Sequence, residues 1–126
     1  YDPTERARAA SLLGRLGSSE YRDELFDAAR TERDPSVCIG ILYGISALGP
    51  DTDGKAIEAV TLIARESGID NSPINRASCD ALYSIVRYTG GSVALQGAAL
   101  LSRFAQSPYG NLDRDYARGV MANILQ

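Results

Sequence analysis

The chain has no histidine, no tryptophan, a single lysine (Lys55) and a single methionine. Without histidine, Ser-His-Asp and Cys-His catalysis are excluded, as is every zinc site built on imidazole. Two cysteines, Cys38 and Cys79, are too few for a four-thiolate site. There is no Gly-x-x-x-x-Gly-Lys-Ser/Thr phosphate loop and no dinucleotide fingerprint ahead of a helix. No apolar run approaches the ~20 residues that a membrane span needs. A basic block is also missing. Thirteen basic residues are dispersed among sixteen acidic ones, for a net charge of −3. Phosphate neutralisation needs clustered Lys and Arg, so no nucleic-acid partner is expected. The chain opens Tyr1-Asp2-Pro3 and its last periodic segment runs to Gln126. We therefore expect one domain over residues 1–126, cut from a longer protein.

What the chain does have is a signature that recurs four times. It reads Asp/Asn, a residue three on, a pair of small or apolar residues, then Leu/Ile. The copies are Asp2, Glu5, Ala9-Ala10, Leu13; Asp34, Val37, Ile41-Leu42, Ile45; Asn71, Ile74, Ser78-Cys79, Leu82; and Asp113, Tyr116, Val120-Met121, Ile124. Their starts are 32, 37 and 42 residues apart. Self-similarity at this period marks an array of supersecondary units, none of which can bury its apolar face alone.

Each copy opens a helix. Asp2-Pro3, Asp34-Pro35 and Ser72-Pro73 place a capping acceptor before a proline at the first helical position, where no amide bond is lost. Gly17, Gly49-Pro50 and Gly90-Gly91 are helix stops. First helices are predicted at 3–16, 35–48, 73–89 and 112–125. Apolar residues at i, i+3/4, i+7 predict second helices over 20–32, 53–66 and 92–106. No segment reads as a strand. The helix from Pro35 is apolar almost all round, as expected of one buried on several sides. Cys38 and Cys79 fall in apolar helices and read as small buried hydrophobes, with a disulfide as the alternative. Leu13, Ile45 and Leu82 occupy one place in three copies and are expected to be buried equivalents.

Several constellations that resemble chemical sites have plainer readings. Asp51-Thr52-Asp53-Gly54 fails as a calcium loop, because Gly49 and Val60 sit where oxygen ligands belong. Asn111, Asp113 and Asp115 fail as well, with Tyr116 at the turn glycine and Ala122 at the bidentate glutamate. Helix capping and first-turn charge explain both. Asp23/Asp27 and Glu20/Glu24, with Arg22 and Arg30 nearby, read as a solvated ion-paired helix face. Most of the tyrosines (Tyr21, Tyr43, Tyr83, Tyr88, Tyr116) fall on apolar stripes and read as partly buried. Tyr109 is placed in an exposed loop.

Asp2, Pro3, Arg6, Ala9, Ala10, Leu13, Gly14, Leu16 and Gly17 follow the pattern of bacterial HEAT-like repeats almost completely. The second copy keeps Asp34, Pro35, Val37, Leu48 and Gly49, with Cys38 where that pattern has arginine. The third and fourth copies have Asn75 and Ala117 there, beside Arg76 and Arg118. The chain thus resembles the HEAT-like family over essentially its whole length. The resemblance implies an all-α, right-handed α-α superhelix of about three hairpins plus a final helix, with first helices convex and second helices concave. Relatives of this kind are mostly protein-binding scaffolds. Some are enzymes, namely bilin lyase subunits and alkyl-purine DNA glycosylases.

The leading expectation is a non-catalytic interaction module with no cofactor and no metal. Its protein or peptide partner would meet the exposed side of the second helices. The apolar stripes orient Asp23, Asp27 and Arg30 outward from the first hairpin, Glu58, Thr61 and Arg65 from the second, and Gln96 and Arg103 from the third. The alternatives are a HEAT-like enzyme subunit, and a structural spacer or a subunit that self-associates through its ends.

Overall fold

A computed structural model of the chain describes residues 2–48, 53–67, 71–88, 95–100, 102 and 110–125. Among these residues every element is helical. They are α1 (Pro3–Leu16), α2 (Ser19–Thr31), α3 (Pro35–Ala47), α4 (Lys55–Ser67), α5 (Ser72–Tyr88), α6 (residues 95–100) and α7 (Gly110–Leu125). The expected stops at Gly49-Pro50 and Gly90-Gly91, the exposed Tyr109 and the end of the 92–106 segment lie outside the described residues.

The caps explain why the helices start where they do. Asp2 accepts from the Thr4 amide at 3.2 Å. Asp34 Oδ1 accepts from the amides of Ser36 (3.0 Å) and Val37 (3.3 Å). Each carboxylate satisfies amides that have no partner inside the helix and faces the positive end of its dipole. In the third copy the cap is Asn71, whose Oδ1 accepts from the Ile74 amide at 3.1 Å, and Ser72 is already helical. The amide side chain of Asn71 reaches the amide of the third helical residue, so the helix gains a residue at its start. The fourth copy departs further. Helix α7 begins at Gly110, which puts Asp113 inside the helix. At the other end of α1, Gly17 adopts φ 71° and its amide donates to the Leu13 carbonyl, a left-handed C-cap that only glycine enters freely.

The helices form two layers. In one layer α1 packs on α3, α3 on α5 and α5 on α7. In the other α2 packs on α4, and Gly97 of α6 lies against Ile57 of α4 and Val86 of α5. The core runs between the layers, with Leu25, Cys38, Ile41, Leu42, Val60, Ile63, Ile74, Leu82 and Ile85 fully buried. Helix α3 is covered on most of its circumference, as its composition predicts, although Tyr43 is 52% exposed. Ile45 and Leu82 are fully buried, while Leu13 is only partly so. Leu13 belongs to α1, which packs on α2 and α3 alone among the described helices. Cys38 and Cys79 are buried free thiols, and the Cys38 thiol donates to the Glu32 carbonyl at 3.6 Å.

The α1–α3 contact is a close approach of two backbones. A Cβ on Gly44 would stand 2.5 Å from the Ala10 carbonyl oxygen, and one on Gly40 would meet the Ala7 backbone. Ala7 faces Gly40 and Ala10 faces Gly44, so the two helices run parallel. Small residues set this short spacing, because interaxial distance follows side-chain size at the contact. Glu32 ties the corner after α2. Its Oε1 accepts from the amides of Arg33 (3.3 Å) and Asp34 (3.2 Å) and from the Arg6 guanidinium (3.2 Å). This gives a partner to the arginine that only the first signature copy carries.

Candidate functional site

The predicted face lies on α2 and α4. Asp23, Asp27, Arg30, Glu58 and Arg65 are exposed, as is Gln96 on α6. Thr61 differs from expectation. It is half-buried, and its hydroxyl donates to the Ile57 carbonyl at 2.7 Å, which turns its polar atom back onto its own helix. Arg103 lies outside the described residues. Asp27 pairs with Arg30 at 3.5 Å and Arg65 with Glu66 at 3.4 Å. These exposed pairs contribute little to stability.

Two of the predicted residues converge across the helix pair. Arg30 of α2 and Glu58 of α4 rim a depression of about 30 Å³ together with Lys55, over a floor of Phe26, Ala59 and Leu62. The Arg22 guanidinium stacks 5.6 Å from the Phe26 ring centroid, and Arg22 reaches Asp53 at 3.8 Å. Lys55 was not among the predicted residues. Its signal was present in the sequence: it precedes Glu58 by one turn on the same helix face.

A larger feature lies in the other layer, where the sequence pointed to no site. Between α5 and α7 opens a cleft of about 660 Å³, lined by Asp80 and Tyr83 of α5 and by Asp115, Tyr116, Gly119, Val120, Ala122 and Asn123 of α7. Signature register allows a comparison with the α1–α3 contact. Six and ten residues after the cap position stand Gly40 and Gly44 in α3, Ala77 and Ala81 in α5, and Gly119 and Asn123 in α7. In α3 these places touch the preceding helix backbone to backbone. Gly119 has no atom within 4 Å of where its Cβ would be. The opposing helix differs, since α5 carries Tyr83 at the place where α1 carries Gly14. Tyr83 lines the cleft from the α5 side.

The Tyr116 hydroxyl donates to Asp80 Oδ1 across the α5–α7 boundary. That bond, with burial and the nearby carboxylate charge, pushes the Tyr116 pKa up to about 12, because each favours the phenol over the phenolate. The Arg76 guanidinium stacks 5.5 Å from the Tyr116 ring centroid and that of Arg87 5.7 Å from Tyr83. Sequence reasoning placed Tyr83 and Tyr116 on apolar stripes, and both are half-buried. It did not pair them, because the pairing depends on how far apart α5 and α7 sit. Among the described residues, no group of three or more His, Cys, Asp or Glu side chains is placed to hold a metal ion. No helix among them is long and apolar enough to cross a membrane.

No family model matches the chain, and no solved structure matches it. A protein of Treponema pallidum (strain Nichols), described as an uncharacterized protein, is 33% identical over 121 residues. The match covers 96% of this chain and 23% of that protein, so the chain spans about a quarter of the length of the relative.

Proposed function

We propose that the chain is a HEAT-like repeat segment, a right-handed α-solenoid, that serves as a non-catalytic protein-interaction module. Parallel α1 and α3, the successive packing of the odd-numbered helices and the recurrence of buried residues at one signature place support the solenoid. A stack of this kind presents an extended, rigid face along its second helices.

The observation that carries the functional reading is the depression between α2 and α4. It is far too small for a metabolite, for which pockets run to roughly 300–1,000 Å³. It suits a single anchoring side chain. Its floor is apolar, and its rim carries both charge signs through Arg30, Lys55 and Glu58. An apolar pit ringed by polar groups is the form taken by the energetic centre of a protein–protein contact. The partner would be a polar protein surface or peptide that offers one apolar anchor.

The test begins with a partner captured on the chain and then purified. Reversing both rim charges, Arg30→Glu with Glu58→Arg, should weaken its binding by at least about tenfold, since mispaired charges at a contact cost more than 1 kcal/mol. Thermal unfolding should be nearly unchanged, because both side chains are exposed. Unaltered binding by the double variant would remove this face from the interaction.

A further inference from the structure

We propose that the outer face of the α1–α2 hairpin is a dimer interface, and that its occupant is the same face of a second copy of this chain. The inference does not rest on the α2–α4 depression. Phe26 and Arg30, which line that depression, lie on the other side of α2, and either surface can fail without the other.

Helical period places the face. Helix α1 meets α3 through Ala7, Ala10 and Gly14. Leu12 stands two residues beyond Ala10, about 200° around the helix, so it lies on the side away from α3. Leu12 is 48% exposed and Leu16, one turn on, is 58% exposed. With Ala9, also exposed, they make an apolar stripe on the free side of α1 that ends at Glu5. In α3 the equivalent places are covered by the preceding helix, and there Gly40 and Gly44 admit its backbone. In α1 the residues at those two places are Arg8 and Leu12. Both are too large for another helix to repeat that close contact, because spacing follows side-chain size. The occupant of the stripe must therefore meet it side chain to side chain.

The charges around the stripe select that occupant. Arg6, Arg22, Arg30 and Arg118 each reach a carboxylate of this chain. Arg8 and Arg15 form no ion pair among the described residues, and neither do Glu20 and Glu24 of α2. All four are exposed. Arg15 and Glu20 also suit the helix ends that they occupy, whereas Arg8 and Glu24 lie mid-helix. By helical period the two arginines flank the stripe on the side away from Leu13, which packs against the core. On α2, Tyr21 and Ala28 are half-buried, and Glu20 and Glu24 stand outside them. The hairpin face is thus apolar along its middle, basic on its α1 rim and acidic on its α2 rim. Only two residues separate α1 from α2, so the helices are antiparallel neighbours. A two-fold axis parallel to them lays α1 of each copy on α2 of the other, an isologous contact. That rotation brings Arg15 level with Glu20 of the second copy and Arg8 within a turn of its Glu24, twice over. It also sets Leu12 and Leu16 beside Tyr21 of the second copy. An axis across the helices would set arginine on arginine instead.

The face is about 21 Å long, from fourteen residues of α1 at ~1.5 Å each, so the interface is small and the dimer weak. Sedimentation equilibrium of the 126-residue chain should show a reversible monomer–dimer equilibrium between micromolar and millimolar concentration. Added salt should weaken it, because the rims are charged and exposed. Arg8→Glu with Arg15→Glu should raise the dissociation constant at least about tenfold, since like charges then face each other. Glu20→Lys with Glu24→Lys should do the same. An equimolar mixture of the two double variants should recover the dimer, because each reversed rim then meets an opposite one, and that recovery also shows that both variants are folded. Leu12→Ser with Leu16→Ser should abolish the dimer while leaving the thermal midpoint of dilute, monomeric chain in place. A chain that stays monomeric up to millimolar concentration would overturn the inference. So would charge variants that associate as the parent chain does, or assembly beyond the dimer, which marks open head-to-tail stacking rather than a closed two-fold contact.

Discussion

Two glycines in the layer of odd-numbered helices show what a single hydrogen atom decides in this chain. Gly44 lies where a methyl group would enter the Ala10 carbonyl oxygen, and Gly119 lies beside open space. Glycine in a helix interior costs roughly 0.5–1 kcal/mol relative to alanine. At Gly44 the close approach of α1 offsets that cost, and at Gly119 nothing in the fold does. Gly44→Ala should therefore destabilise the chain by about 1–3 kcal/mol through overpacking. Gly119→Ala should stabilise it by roughly 0.5–1 kcal/mol. Urea unfolding of the two variants measures both. A neutral Gly44→Ala would mean that α1 and α3 are farther apart than described. The pair Gly40/Gly44 was legible in principle, since two glycines one turn apart in an otherwise apolar helix signal a backbone contact.

At the scale of the helix, the caps carry most of what could be read in advance. Asp-Pro and a helical apolar period located α1 to the residue at both ends, because the cap and the Gly17 stop are local chemistry. The start of α5 shifted by one residue because two capping residues, Asn71 and Ser72, stand side by side and only one can lie outside the helix. Asn71 accepts the Ile74 amide, so Asn71→Ala should cost about 0.5–2 kcal/mol and Ser72→Ala no more than a few tenths. The same unfolding assay separates them, and a larger loss at Ser72 would return the cap to that residue. The start of α7, ahead of Asp113, is the least legible boundary. A lone carboxylate suits the first turn of a helix as well as its cap.

Across the whole molecule, the position of a repeat decides how much its equivalent residues contribute. Leu13, Ile45 and Leu82 share one signature place, yet Leu13 is only partly buried while the other two are enclosed. Ile45→Ala should cost roughly 2–5 kcal/mol, because the cavity it leaves is walled on every side. Leu13→Ala should cost clearly less, since part of its surface already meets water. Equal losses at the two places would show that α1 is as enclosed as α3. The two candidate sites also differ in legibility at this scale. Outward charges on α2 and α4 follow from helical period alone, and Arg30 and Glu58 were named on that basis. Their convergence over Phe26 needed the packing of one hairpin against the next.

The sequence by itself determined the helices, the caps of α1 and α3, the recurrence of the signature and most of the positions that fill the core. All of these follow from interactions between residues a few places apart, or from the period at which apolar residues recur. Tertiary structure decided the spacing between helices. The same small residue closes one contact at Gly44, against the Ala10 backbone, and leaves space open beside Gly119. Interaxial distance depends on both partners at once. The α5–α7 cleft, with its Tyr116–Asp80 hydrogen bond, therefore exists only once α5 and α7 are set side by side.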